Sequence, residues 1–156
     1  MSWGPASILL ALLALMLLAA CWFDLRSRTI PNALTLAVAL LALPFWWATG
    51  LAAWPGAALQ IGVAALVFGL FALAFAIGAM GGGDVKLVSA VALWLPWQGV
   101  LILLVIMSLA GGALTLAMLI RHRLARSGAQ LEIPYGVAIA FGGLWLIGQR
   151  FLYQFS

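Results

Sequence analysis

No charged residue occurs between Arg28 and Asp84, and none between Lys86 and Arg121. The first charge in the chain is Asp24. Mostly apolar stretches of this length have to leave water. A helix crosses the hydrocarbon core of a bilayer with about 20 predominantly apolar residues. The uncharged stretches here are long enough for one crossing or more. Composition agrees: 67% of residues are hydrophobic and 6% are charged, where soluble domains carry roughly a quarter charged residues. Seventeen glycines and eight tryptophans also suit a bilayer better than a cytosolic core.

Span boundaries follow from polar breaks and prolines. The first span is expected from about Pro5 to Phe23. It lacks the positive n-region of a signal peptide, and further spans follow it. The polar segment DLRSRTIPN covers 24–32. A second span starts near Pro31 or Asn32, since proline suits a helix start, and fades near Trp47. Residues 48–56 read as a turn with interfacial tryptophans. A third span runs from about Ala57 to Ala79, and a Gly-rich loop follows. A fourth element, about Val85 to Trp94, ends before Pro96 and is short enough to be tilted or partly shielded. The fifth span covers about Gln98 to Ile120, and the polar stretch RHRLARSGAQLE covers 121–132. The sixth runs from about Ile133 to Ile147. The expected fold is an all-α polytopic membrane protein of about six transmembrane helices, forming a single domain over 1–156.

Charge sets the orientation. Basic residues prefer short cytoplasmic loops. With six crossings, Arg26, Arg28, Lys86, Arg121, Arg123 and Arg126 fall on one side and Arg150 on the other. Both termini should therefore face away from the cytoplasm. The net charge of +4 is not a nucleic-acid signal, because no basic stripe or base-reading motif is present. Cys21 is the only cysteine, so neither an internal disulfide nor a CxxC site can form. In an apolar run it reads as a small filler.

All three acids, Asp24, Asp84 and Glu132, fall on the predicted cytoplasmic side. Positive-inside bias does not explain that gathering. The second and third spans form an out-and-back hairpin, so Asp24 and Asp84 return to one membrane depth. Two adjacent carboxylates do not readily ionise together and come to share a proton. The charged member can take a proton from water, and the protonated member can donate to a carbonyl oxygen, as in an aspartic peptidase. That chemistry requires no cofactor and no metal ion.

The stretch MGGGDVKL, residues 80–87, surrounds the second aspartate. Gly81, Gly82 and Gly83 can adopt positive φ and approach a partner closely, which would bring Asp84 towards Asp24. Lys86 would hold a lipid phosphate or tune the field near the pair. Glu132 reads as an anchor for the sixth helix, or as a contact for a basic segment of substrate. His122 has no second histidine or cysteine beside it as a metal ligand. The P-loop pattern GxxxxGK[ST] is absent.

FDLRSRTIPN at 23–32, together with AMGGGDVKL at 79–87, resembles the type IV prepilin leader peptidases, membrane aspartic proteases of the GxGD type. The likeness is nearest to the short prepilin peptidases of tight-adherence pilus systems, and the archaeal preflagellin peptidases are similar. The resemblance implies that Asp24, before Ile30, Pro31 and Asn32, and Asp84, at the end of Gly81-Gly82-Gly83-Asp84, are the catalytic pair. IPYGVAIAFGG at 133–143 resembles the late Pro-aromatic-Gly element of that family, here Pro134, Tyr135 and Gly136. It implies a prepilin or pseudopilin substrate with a short basic leader and a hydrophobic helix, cut after a glycine at the cytoplasmic face of the bacterial inner membrane. Larger members carry a cytoplasmic domain with paired cysteines, and many also N-methylate the product. This chain has no cysteine pair, so methylation does not follow from the likeness. The resemblance does not fix an oligomeric state.

Two other functional classes fit the residues less well. Acids within a membrane often mark the ion paths of transporters, but here they lie at helix ends, and no inverted repeat is evident. A purely structural subunit would leave both aspartate motifs unexplained.

Overall fold

The computed structural model describes residues 4–125 and 133–154. Among these residues the chain is all helical, in the order α1 (Pro5–Ser27), α2 (Asn32–Ala48), α3 (Ala58–Ala76), α4 (Gly82–Ala92), α5 (Trp97–Ala125) and α6 (Tyr135–Gln154). A single π turn, Ala53–Ala57, leads into α3. Three segments are long and apolar enough to cross a membrane: α1, α3 with its preceding π turn, and α5 up to His122. Helix α2 is a shorter apolar helix. Large apolar side chains such as Leu66, Leu73 and Leu109 point outward, as expected where the surrounding solvent is lipid.

Helix α4 is the centre of the bundle. It packs against α2, α3 and α6, and almost every residue from Asp84 to Ala92 is buried. A helix apolar on all sides belongs in the interior. Two indole N–H groups tie it to α2: Trp46 Nε1 donates to Leu93 O at 2.8 Å, and Trp94 Nε1 donates to Val38 O at 2.9 Å. The Trp94 ring also stacks against Phe45 at 4.9 Å. Helix α6 packs against α1 and α5.

Several helix ends differ from the sequence expectation, and each has a local cause. Helix α1 continues through Asp24 to Ser27, because nothing in FDLRS breaks a helix. Arg26 suits its C-terminal dipole, and Ser27 Oγ donates to Phe23 O at 2.9 Å. Helix α3 ends at Ala76, and the chain turns at Gly78 with φ of 74°. Helix α5 continues into the polar stretch as far as Ala125, since arginines are favourable at a helix C-terminus. Helix α6 starts at Tyr135, not Ile133, because a residue before proline disfavours helical backbone, and it runs on to Gln154.

The expected Gly-rich loop requires the largest correction. Gly81 is the N-cap of α4, while Gly82 and Gly83 are already helical. None of the three has positive φ; the positive-φ glycines are Gly50 and Gly78. The positive φ expected of Gly81, Gly82 and Gly83 is therefore not found, and their close contacts are made from extended or helical backbone.

Candidate functional site

Asp24 sits in the last turn of α1 and Asp84 in the first turn of α4. They are 4% and 7% exposed. Both line one cavity of about 390 Å³, together with Arg28, Met80, Gly81 and Tyr135. Three elements meet there: the C-terminal end of α1, the turn before α4, and the start of α6.

Local structure aims each carboxylate. Asp84 is the third residue of α4, where a side-chain acceptor reaches back to the N-cap amide. The Gly81 N–H accordingly faces the Asp84 carboxylate. A Cβ on Gly81 would stand 2.9 Å from Asp84 Oδ2, so only glycine leaves this path open. Asp84 Oδ1 is buried with no hydrogen-bond partner. Asp24 is met by the N-terminal turn of α6: the Val137 N–H donates to Asp24 Oδ2 at 3.2 Å. The Gly136 N–H faces both carboxylates. Helix N-termini carry unpaired N–H groups and partial positive charge, which suits anions.

Ile30 holds these parts together. It is 7% exposed. A Cβ on Gly83 would lie 3.2 Å from Ile30 Cβ and 3.3 Å from its backbone N, and one on Gly136 would lie 2.8 Å from Ile30 Cδ1. Ile30 is therefore clamped between the starts of α4 and α6. Pro31 follows as the N-cap of α2, and Pro134 is buried just before α6. Gly82 packs against the Phe75 ring of α3.

Lys86 is placed elsewhere. Its Nζ donates to Asn32 Oδ1 at 2.8 Å. Both residues line a second, more apolar groove of about 450 Å³ between α2, α3 and α4. The residues singled out from the sequence thus divide into two groups on different sides of α4. Asp24, Asp84, Gly81, Tyr135 and Gly136 gather at the cavity, while Asn32 and Lys86 do not. Glu132 lies outside the described residues.

Sequence reasoning missed Arg28, Met80 and the Val137 amide. Arg28 caps α1 with left-handed backbone, φ of 55°, which is uncommon for a residue other than glycine. No side-chain pattern could reveal Val137, because its contribution comes from the backbone.

Two buried carboxylates in one polar-lined cavity are chemically able to activate a water. Residues 11–116, more than half of the chain, match the model of the type IV leader peptidase family. The chain belongs to this family. It is a prepilin-peptidase-type enzyme, a multi-pass membrane hydrolase of the aspartic-protease type. Both aspartates of the leader peptidase lie within the matched residues. The α6 start lies beyond them, so its place at the site rests on geometry alone. No curated protein and no solved structure gives a significant match to this leader peptidase.

Proposed function

We propose that the protein is a membrane aspartic endopeptidase that removes the short basic leader from prepilin-like substrates, with Asp24 and Asp84 as its catalytic pair. One observation carries this reading: the two acids lie on different helices far apart in sequence, yet both are buried against the same cavity. A water held between them loses a proton to one carboxylate as its oxygen attacks the scissile carbonyl. The other carboxyl group supplies a proton to the carbonyl oxygen. Collapse of the tetrahedral intermediate then releases leader and mature pilin.

Family membership supports a prepilin-type substrate, which we read as a basic leader on the cytoplasmic side, then a glycine, then a hydrophobic helix in the bilayer. The cavity suits that division, because it lies at one end of an apolar bundle. Arg26 and Arg28 at the end of α1 and Arg121 near the end of α5 belong to the same end of the bundle. Arg150 instead packs over the Phe45 ring at 5.3 Å, towards the other end of α2. By the positive-inside rule the cavity end is cytoplasmic. Both termini then lie on the opposite side, with six crossings, α4 being the short one. Residues 1–156 act as one domain in this reading.

Co-expression with a tagged prepilin tests it. Wild type should yield the processed band, and Asp24→Asn and Asp84→Asn should each abolish it at equal enzyme levels. Processing retained in either variant rejects the paired mechanism.

A further inference from the structure

The two aspartates are not equivalent. Asp24 Oδ2 receives the Val137 N–H at 3.2 Å, and Arg28 lies close enough to add positive charge. Asp84 Oδ1 is buried and receives no hydrogen bond among the described residues. The Gly136 N–H faces both groups and so does not distinguish them. Each also has an amide of its own, Val137 for Asp24 and Gly81 for Asp84, so the difference lies in Arg28 beside Asp24 and in the donor-less Oδ1 of Asp84.

We propose that the first turn of α6, through the Val137 amide and together with Arg28, is a positioning element that holds Asp24 as the anionic, proton-accepting member of the pair and leaves the proton on Asp84. The inference rests on the peptidase reading and assigns the two roles within it. Hydrogen bonds to the charged form of a carboxylate favour that form. An ionised oxygen without a donor is costly when buried. A protonated Asp84 is instead a donor in the lining of the cavity, available to a carbonyl oxygen that substrate brings. Among the described residues, the other titratable or charged groups near Asp24 are Cys21 and Arg28 on α1, Asp84 on α4 and Tyr135 on α6. Lys86 is turned towards the other groove.

The cycle balances. Asp24 takes a proton from water as the water oxygen bonds to the scissile carbon, and Asp84 gives its proton to the carbonyl oxygen. The resulting gem-diol breaks its C–N bond. Asp24 then returns its proton to the leaving nitrogen, and Asp84 recovers one from a gem-diol hydroxyl. The products are an acid and an amine, and both carboxyl groups end as they began.

The test measures kcat and KM against pH, in lipid bilayers, with a synthetic peptide carrying a basic leader, a glycine and an apolar helix. Val137→Pro removes the N–H, which in the first turn of α6 donates to Asp24 Oδ2 and also to Pro134 O at 3.3 Å. Loss of a hydrogen bond to a charged group should move the acid limb of kcat upward by about one pH unit. It should also lower kcat while leaving KM nearly unchanged. Val137→Ala, which keeps the N–H, should hold the wild-type limb. If Val137→Pro does not fold, replacing the Val137 amide by an ester removes the same donor with little steric change. An acid limb unmoved in the proline or ester protein overturns the inference while wild-type cleavage leaves the peptidase reading standing. A wild type that fails to cut the peptide overturns both.

Discussion

Gly136 and Asp24 approach so closely that no side chain fits between them. A Cβ on Gly136 would stand 2.8 Å from Asp24 Oδ2 and 2.9 Å from its Cγ. The same Cβ would meet Ile30 Cδ1 at 2.8 Å. A glycine in the first turn of α6 is thus what allows the helix N-terminus to reach a carboxylate on α1.

Gly136→Ala should therefore displace the Asp24 carboxylate or push α6 away from it. A misplacement of about 1 Å at a reacting group can cost on the order of a hundredfold in rate. The expected outcome is a loss of that order in leader cleavage, with the protein still inserted and folded. Cleavage at the wild-type rate would mean that Asp24 is not held by this contact during reaction.

What the sequence revealed and what it hid have physical reasons. Charge-free apolar runs are long and redundant, so the helices were legible, as were Asp24 and Asp84, which lie in recognisable local motifs. Helix ends were less legible because they depend on single caps and on what packs nearby. Gly81, Gly82 and Gly83 looked like a flexible loop, because glycine weakens a helix on intrinsic propensity. Tertiary packing against Ile30 and Phe75 overrides that preference and makes two of them helical. Lys86 is two residues from Asp84, which suggested a shared site. Two residues along a helix turn a side chain by about 200°, so the pair diverges to opposite sides of α4. Arg28 stands one helical turn after Asp24, but an expected helix end at Phe23 left both in a polar connection; the Val137 amide is 113 residues away, and nothing local marks it as a neighbour of Asp24.

Gly83→Val is expected to impair the enzyme by a different route. Here the obstacle is partly backbone: a Cβ would press on Ile30 N at 3.3 Å and Ile30 O at 3.5 Å, as well as on Ile30 Cβ at 3.2 Å. Two further methyl groups leave α4 no room beside the α1–α2 connection. Overpacking of this kind costs about 1–3 kcal/mol, and Asp84 is the next residue. Cleavage should fall sharply and thermal stability modestly, measured on the same purified protein. Gly83→Ala should fall between the two, since only the first carbon must be accommodated.

The α1–α6 contact offers a test of stability away from the carboxylates. A Cβ on Gly143 would lie 2.7 Å from Leu17 Cδ1, and Leu17 is fully buried. Small residues let transmembrane helices approach closely. Gly143→Val should destabilise by about 1–3 kcal/mol, seen as a lower midpoint in detergent unfolding. Leu17→Ala opens a cavity and should also destabilise. The double variant should be more stable than the sum of the two losses, because the valine occupies space the leucine vacates. Strict additivity would show that the two residues do not share this space.

Membrane sidedness can be read by thiol labelling in a Cys21→Ser background. Ser27 is the last residue of Asp24's helix, and Ala79 lies in the turn before α4; both are exposed. Ala52 is exposed in the connection between α2 and α3, at the far end of the hairpin. An impermeant maleimide applied from the cytoplasmic side should modify Ser27→Cys and Ala79→Cys and spare Ala52→Cys. Applied from the opposite side, it should give the reverse pattern. Reversal of the whole pattern would invert the proposed orientation while leaving the carboxylate pair intact, and the leader would then have to be cut outside the cytoplasm. Labelling of Ser27→Cys and Ala79→Cys from different sides would be more serious. Asp24 and Asp84 could not then share a cavity in the membrane, and no single water could bridge them.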